Sequence, residues 1–173
     1  IYLEPSQFNY RPRADAPAVN PLPALNNGWV TFGSLNNIQK LNRRVIEAWS
    51  RILHGVSGSR LLLHHKYLVD PGVVGRFRGM FEAFNIASNC LDFRPADARH
   101  LETYHEIDIA LDPFPYNGAA TTCEALWMGV PVVSLAGDRS PGRIGASLLH
   151  AAGLEAWIAG SVEDYVRIAV MQG

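Results

Sequence analysis

Residues 107–135 read IDIALDPFPYNGAATTCEALWMGVPVVSL. Two apolar runs, 107–111 and 130–135, flank a turn of small residues and a helical pattern, which predicts the order strand, turn, helix, strand. A helix that starts just after a buried strand presents free backbone N–H groups and the positive end of its dipole, and both favour phosphate. Hydroxyls of Thr121 and Thr122 add donors at that helix start. The stretch therefore predicts a site for a sugar nucleotide.

The same alternation of apolar runs and helical patterns extends through the chain from Trp29 onward. Strand-sized apolar runs occur at residues 29–32, 59–64, 90–93, 107–111, 131–135 and 156–158. Helical patterns occur at residues 42–56, 71–85, 98–105, 121–128, 143–152 and 162–170. This alternation predicts an α/β fold with a doubly wound, Rossmann-like parallel sheet whose ligand crevice lies outside the carboxyl ends of the strands.

The domain organisation follows from a change in composition near residue 28. Residues 1–27 are rich in proline and asparagine and lack strand or helical periodicity, so we expect a linker from a missing N-terminal region. Residues 28–173 are expected to form one nucleotide-sugar-binding, Rossmann-like domain that is truncated at its C-terminus. Because the chain opens without a methionine, we interpret it as a fragment.

Composition limits the class of protein. The chain has 173 residues, 48% of them hydrophobic, and a formal net charge of -1. We expect one domain in the cytoplasm, with no membrane span and no nucleic-acid partner, because neither a long apolar run nor a cluster of like charge occurs. Cys90 and Cys123 are interpreted as buried thiols, and His64 and His65 as solvent-facing residues, so no metal site is predicted.

Three segments together resemble a known family. Residues 32–42 read FGSLNNIQKLN, residues 111–129 contain the turn and helix quoted above, and residues 137–149 continue the pattern. They resemble the O-linked N-acetylglucosamine transferase and SPINDLY group, in its bacterial form joined to tetratricopeptide repeats. The resemblance covers most of the chain and implies the C-terminal, donor-binding half of a two-domain glycosyltransferase of the GT-B type.

The resemblance implies a reaction as well as a fold. It implies inverting, metal-independent transfer of N-acetylglucosamine from UDP-GlcNAc to serine or threonine hydroxyls of a protein, with UDP as product and no further cofactor. The catalytic base and acceptor site would belong to an N-terminal half and to the repeats, so the isolated chain is expected to be inactive. Transfer from GDP-fucose or of another sugar, a nucleotide-sugar epimerase and a non-catalytic nucleotide-binding module remain alternatives.

Lys40 is the candidate for the catalytic charge. It ends a polar loop, residues 33–40, that follows the first strand, where doubly wound folds bind phosphate. An exposed surface lysine is the alternative interpretation. The resemblance implies that Lys40 contacts the donor diphosphate and stabilises the departing nucleotide, and that Asn37 lies in the same pocket.

The second group of candidates lies at the turn and helix start. Asn117, Gly118, Ala120, Thr121 and Thr122 match the donor-binding segment of the family. Threonine at a helix start also serves as a cap, and the two roles are compatible. Many relatives carry a longer threonine run, whereas this chain has two alanines before Thr121, so one hydroxyl donor is missing.

Two further residues are candidates for contacts with the nucleoside. Glu124 either complements the helix dipole or accepts hydrogen bonds from a ribose diol, and the resemblance favours the ribose. His100 is either a surface histidine or, as the resemblance implies, a contact of the base. Arg143 is interpreted as structural, and Trp49 and Trp127 as core.

Overall fold

The computed structural model describes residues 8–173. The described chain forms six strands: β1 (Thr31–Ser34), β2 (Arg60–His64), β3 (Leu91–Arg94), β4 (Ile109–Leu111), β5 (Val132–Leu135) and β6 (Ile158–Ala159). Its α-helices are α1 (Ala24–Asn27), α2 (Arg43–Gly55), α3 (Pro71–Glu82), α4 (Ala120–Trp127), α5 (Ile144–Ala151) and α6 (Val162–Gln172). Short 3₁₀ helices include Ile38–Lys40 and His100–Glu106.

The six strands form one parallel sheet in the order β3-β2-β1-β4-β5-β6. In its centre, Gly33 of β1 pairs with Leu62 of β2 on one side and with Ala110 of β4 on the other. The chain thus builds the sheet outward from β1 first in one direction and then in the other. The predicted doubly wound parallel sheet is confirmed, and the point where the order reverses lies between β1 and β4.

Alternation along the strands divides the core into two layers. In β2, the side chains of Leu61 and Leu63 join the cluster around Trp49, whereas Leu62 joins the cluster around Tyr104 on the opposite face. Because successive strand residues point to opposite faces, almost wholly apolar strands are what a sheet covered on both faces requires. Helices α2 and α6 pack together over the first face.

Side-chain caps mark the starts of helices α2 and α3. The side-chain oxygen Oδ1 of Asn42 accepts the backbone N–H of Arg44 at 2.9 Å at the start of α2. Asp70 accepts the N–H of Gly72 at 2.7 Å at the start of α3, with Pro71 in the first position. Both caps satisfy N–H groups that have no partner inside their helix.

Four local expectations differ from the structure. The helical pattern at residues 98–105 forms the 3₁₀ helix His100–Glu106. Trp127, predicted as core, is 52% exposed, because the buried side of the short helix α4 is supplied by smaller residues such as Ala125. His64, predicted to face solvent, is buried, because it ends the inner strand β2 between two paired neighbours. Cys90 and Cys123 are free thiols, as expected, but only half-buried.

The segment that precedes β1 is attached to the sheet. The buried Asp108 carboxylate accepts the N–H of Ala24 through Oδ1 and the N–H of Thr31 through Oδ2, each at 2.8 Å. Asn20 donates its side-chain N–H to the carbonyl of His105 at 2.9 Å. These bonds join part of the predicted linker to Asp108, which directly precedes β4, and to the adjacent 3₁₀ helix. Across residues 8–173, no helix has the length and apolar character needed to cross a membrane.

Candidate functional site

The loops after β1 and β4 meet where the strand order reverses. Asn36, which follows β1, is buried, and its side-chain oxygen accepts two hydrogen bonds. One comes from Lys40 Nζ at 3.2 Å and the other from Thr121 Oγ1 at 3.1 Å. The two loops meet because β1 and β4 are hydrogen-bonded neighbours with their carboxyl ends at the same edge. The structure thereby brings the predicted lysine and the predicted threonine together in the expected crevice.

Lys40 is held by contacts on several sides. Its Nζ also donates to the backbone carbonyl of Asn117 at 2.8 Å and lies 4.6 Å from the centre of the Tyr116 ring. Burial lowers the pKa of the Lys40 ammonium, and the carboxylate of Asp112 opposes that shift. A half-buried ammonium held in this way is a stronger partner for an anion than a lysine in solvent.

The start of helix α4 forms the other side of the crevice. The helix begins at Ala120, and the preceding Ala119 makes no side-chain capping bond, so neither Thr121 nor Thr122 is the cap. Both hydroxyls lie against Gly118: a Cβ atom there would be 2.5 Å from Thr121 Oγ1 and 2.8 Å from Thr122 Oγ1. A side chain at position 118 would therefore displace the two threonine hydroxyls.

Thr122 has a buried hydroxyl without a partner. Thr122 is 2% exposed, and its Oγ1 makes no hydrogen bond within the described part of the chain. Native structures rarely leave a buried polar group unpaired, because doing so costs the free energy of desolvation. Thr122 thus holds an unused hydroxyl close to the N-terminus of α4, where backbone N–H groups favour anions.

His100 and Glu124 form a polar pair next to this crevice. His100 Nε2 lies 3.2 Å from Glu124 Oε1, and the two side chains are 29% and 18% exposed. Glu124 is the fifth residue of α4, beyond the first turn where the dipole is strongest, so the dipole interpretation loses support. Tyr104, in the same 3₁₀ helix as His100, donates its hydroxyl to the Thr121 carbonyl at 3.0 Å and ties the two elements together.

The other predicted residues have more local roles in the structure. The side chain of Asn117 is fully buried, donates to the Pro113 carbonyl at 3.1 Å and accepts the Gly145 N–H at 3.3 Å. Asn37 is exposed and accepts the N–H of Gln39 at 3.0 Å. Ala120 is exposed at the start of α4.

Arg143 lies at the edge of this region and contributes a structural bond. It is exposed and donates to the Gly137 carbonyl at 3.2 Å, in line with the structural interpretation.

Within residues 8–173, no group of three or more His, Cys, Asp or Glu side chains has an arrangement that holds a metal ion.

Asp112 was not among the predicted site residues, because its position at the end of an apolar run indicated only strand. Its buried carboxylate accepts the N–H of Gly118 and the hydroxyl of Ser134, each at 2.6 Å. Burial raises the pKa of the Asp112 carboxyl to about 7, against the lowering effects of these two bonds and of Lys40. The sequence does contain a signal for this site residue. Asp112 follows a central parallel strand and precedes the glycine of the turn by six residues.

Comparison with known proteins agrees with this geometry. A family model described as glycosyl transferase family 41 matches residues 22–173. The chain is 41% identical over 164 residues to a protein of Eustoma exaltatum subsp. russellianum, covering 93% of this chain and 18% of that protein. It is 40% identical over 173 residues to a Solanum lycopersicum protein, covering 98% and 19%. Both are named probable UDP-N-acetylglucosamine–peptide N-acetylglucosaminyltransferase SPINDLY.

Among solved structures, a Thermobaculum terrenum O-GlcNAc transferase mutant superposes with a TM-score of 0.88 at 36% identity. The superposition covers 94% of this chain and 31% of that one. The chain therefore spans about a fifth of the curated relatives and about a third of the solved enzyme. The predicted GT-B type of the sheet and the predicted family resemblance are confirmed. On the match over residues 22–173 and the identity to its relatives, the chain belongs to glycosyl transferase family 41.

Proposed function

We propose that the chain is the donor-binding half of an inverting, metal-independent glycosyltransferase that moves N-acetylglucosamine from UDP-GlcNAc to serine or threonine hydroxyls of a protein. The observation that carries the proposal is the shared hydrogen bonding of Lys40 and Thr121 to Asn36. It gathers an ammonium, a hydroxyl and a helix N-terminus at the point where doubly wound sheets bind nucleotides.

In this proposal Lys40 stabilises the leaving group. Breaking the bond between the sugar and the diphosphate leaves additional negative charge on the diphosphate, and a fixed ammonium beside it lowers the energy of that state. The N-terminus of α4 and the hydroxyls of Thr121 and Thr122 act in the same direction. These groups supply the charge that a divalent cation supplies in metal-dependent transferases, which is the basis for proposing a metal-independent reaction.

His100 and Glu124 are the proposed contacts of the nucleoside. Glu124 lies on α4 three residues after Thr121, which is close to one helical turn, so the two side chains share a side of the helix. A carboxylate accepts two hydrogen bonds from the vicinal hydroxyls of a ribose, and a partly exposed imidazole packs against a base. A ligand with its diphosphate at Lys40 and its nucleoside at Glu124 would extend along α4.

The acceptor and the base that removes its proton are proposed to lie in the remaining four fifths of such an enzyme. Relatives of this chain are named for peptide acceptors, and the chain covers about a fifth of their length. The donor half alone provides leaving-group stabilisation but no acceptor site. We therefore propose that the isolated chain binds donor without transferring sugar.

The test is a calorimetric titration with UDP and with uridine. The chain contains two lysines, Lys40 and Lys66, and each lies over a tyrosine ring, so Lys66 offers a matched control. We expect Lys40→Ala to weaken UDP binding by about 1.5–3 kcal/mol, as for loss of a hydrogen bond to a charged group, with little effect on uridine. Lys66→Ala should leave both affinities unchanged. Equal losses of UDP and uridine affinity in Lys40→Ala would place the diphosphate elsewhere.

The same titration separates the competing functions. GDP and GDP-fucose binding more tightly than UDP and UDP-GlcNAc would favour fucose transfer. Folded chain that binds neither pair at millimolar concentration would leave only an interaction role. With a complete enzyme, label that appears on a protein supports transfer, whereas an altered free nucleotide sugar would support an epimerase.

A further inference from the structure

Asp112 is fully enclosed at the end of β4, directly behind the crevice. Its Oδ1 accepts the backbone N–H of Gly118 and its Oδ2 accepts the hydroxyl of Ser134 in β5, each at 2.6 Å. The residue is 1% exposed. The carboxylate therefore joins the turn before α4 to the neighbouring strand.

The surroundings of Asp112 enclose its carboxylate and hold its main chain. A Cβ atom on Gly145 would lie 2.5 Å from Asp112 Oδ2 and closer still to Ser134 Oγ, so the backbone of α5 closes that side. The backbone carbonyl of Asp112 accepts the hydroxyl of Tyr165 at 3.0 Å, and that hydroxyl in turn accepts Trp49 Nε1–H at 3.0 Å. Main chain and side chain of Asp112 are both fixed.

One peptide group connects Asp112 with Lys40. The N–H of Gly118 and the C=O of Asn117 belong to the same trans peptide unit. The N–H end is bonded to Asp112 at 2.6 Å, and the C=O end accepts Lys40 Nζ at 2.8 Å. Because a trans peptide is planar and rigid, with its N–H and C=O pointing in opposite directions, fixing one end fixes the direction of the other.

We propose that Asp112 is a positioning residue of the donor site: it holds the Asn117–Gly118 peptide so that the peptide carbonyl fixes the Lys40 ammonium beside Thr121. Asp112 does not itself contact the donor. Its effect on donor binding runs through Lys40, by way of the shared Asn117–Gly118 peptide. The role rests on the proposed function, in which Lys40 binds the diphosphate.

The test combines three replacements of Asp112 with the titration of UDP and uridine. Asp112→Ala removes the bond to Gly118, Asp112→Glu keeps the charge but not the length, and Asp112→Asn keeps the shape but not the charge. We expect the alanine and glutamate variants to bind UDP at least about tenfold more weakly while uridine affinity changes less than about twofold. The asparagine variant still accepts the Gly118 N–H through its amide oxygen and should restore UDP affinity to within about threefold of the wild type.

A double variant separates positioning from general damage to the fold. If Asp112 acts through Lys40, the effects do not add, and Lys40→Ala/Asp112→Ala binds UDP no more weakly than Lys40→Ala alone. Additive losses, or a folded Asp112→Ala or Asp112→Glu chain that binds UDP like the wild type, overturn the proposal. Where those two variants do not fold, Asp112→Asn decides: loss of UDP affinity in a folded Asp112→Asn chain contradicts the role, and retention supports it.

Amide hydrogen exchange in the ligand-free chain gives a readout that does not depend on donor binding. The Gly118 amide should exchange at least about tenfold faster in Asp112→Ala than in the wild type, and Asp112→Asn should keep most of its protection. A wild-type chain that binds no UDP but shows this exchange pattern contradicts the proposed function and leaves the anchoring intact. A wild type that binds UDP but shows an unchanged Gly118 exchange rate in Asp112→Ala contradicts the positioning role alone.

Discussion

His100 and Glu124 stand 24 residues apart in the chain, yet His100 Nε2 lies 3.2 Å from Glu124 Oε1. The first residue begins the 3₁₀ helix before β4, and the second lies on α4 after it. The pairing brings an imidazole and a carboxylate to the same end of the crevice, one helical turn from Thr121.

Glu124→Gln tests the ribose contact. We expect the wild-type chain to prefer UDP over 2′-deoxy-UDP, because the Glu124 carboxylate accepts bonds from the ribose hydroxyls. Glutamine is a weaker, neutral acceptor, so the variant should lose about 1.5 kcal/mol or more of UDP affinity and most of the preference. Titration calorimetry with both nucleotides measures this. Glu102→Gln, which changes an exposed carboxylate on the same 3₁₀ helix as His100, is the control.

Ala120→Thr tests the shortened threonine run. A hydroxyl at the exposed first position of α4 should point toward the same anion site and tighten UDP binding by up to about 1 kcal/mol, the scale of one neutral hydrogen bond. Replacement of the adjacent Ala119 by threonine is the control for the position of the added hydroxyl. If neither Ala120→Thr nor Thr121→Ala changes UDP affinity in a folded chain, the phosphate site does not lie at this helix start.

Thr122→Val tests the unpaired hydroxyl. Valine has nearly the shape of threonine, and removing a buried hydroxyl without a partner should raise the free energy of unfolding by about 1 kcal/mol. If that hydroxyl donates to the diphosphate, UDP affinity falls by a similar amount. Denaturant melts and UDP titrations of the same variant measure both effects. A more stable chain with unchanged UDP affinity would assign Thr122 to the core alone.

The pKa of Asp112 predicts a pH dependence of stability. Because burial raises that pKa from 3.8 to about 7, the folded chain retains the proton between pH 4 and pH 7 whereas the unfolded chain has released it. The free energy of unfolding therefore falls as pH rises through this window, by at most about 4 kcal/mol from this group, and is level above it.

Asp112→Asn removes this contribution and serves as the comparison. The difference in the free energy of unfolding between variant and wild type should grow in favour of the variant from pH 4 to pH 7. Asp15 and Asp164 have lowered pKa values, so they act in the opposite direction, but they are unchanged in both proteins and cancel. If the free energies of unfolding of wild type and Asp112→Asn run parallel over pH 4–8, the pKa of Asp112 is not raised in the folded chain.

Patterns local to the sequence predicted the fold well. The apolar strands and the helical patterns between them fixed the class, and the positions of Lys40 and Thr121 after two of those strands predicted one crevice. The reason is physical: in a parallel sheet the carboxyl ends of all strands lie at one edge, so the sequence order of strand and loop already limits where the loops meet.

Properties that depend on packing between distant elements could not be predicted from the sequence. His64 is buried only because β2 is an inner strand, and Trp127 is exposed only because α4 is short and its buried side is filled by smaller residues. Asp112 acquires its partners Gly118 and Ser134 from a turn and a neighbouring strand. No periodicity in the chain encodes such contacts.

The bond from Tyr165 to the Asp112 carbonyl has a consequence for the order in which the chain is made. Tyr165 belongs to α6, which follows all the strands, whereas Lys40 belongs to the first loop after β1. During synthesis from the N-terminus, every group proposed to touch the donor emerges from the ribosome before the helix that supports the floor of their crevice. We therefore expect a nascent chain to carry all of its proposed donor contacts before α6 docks and holds the main chain of Asp112.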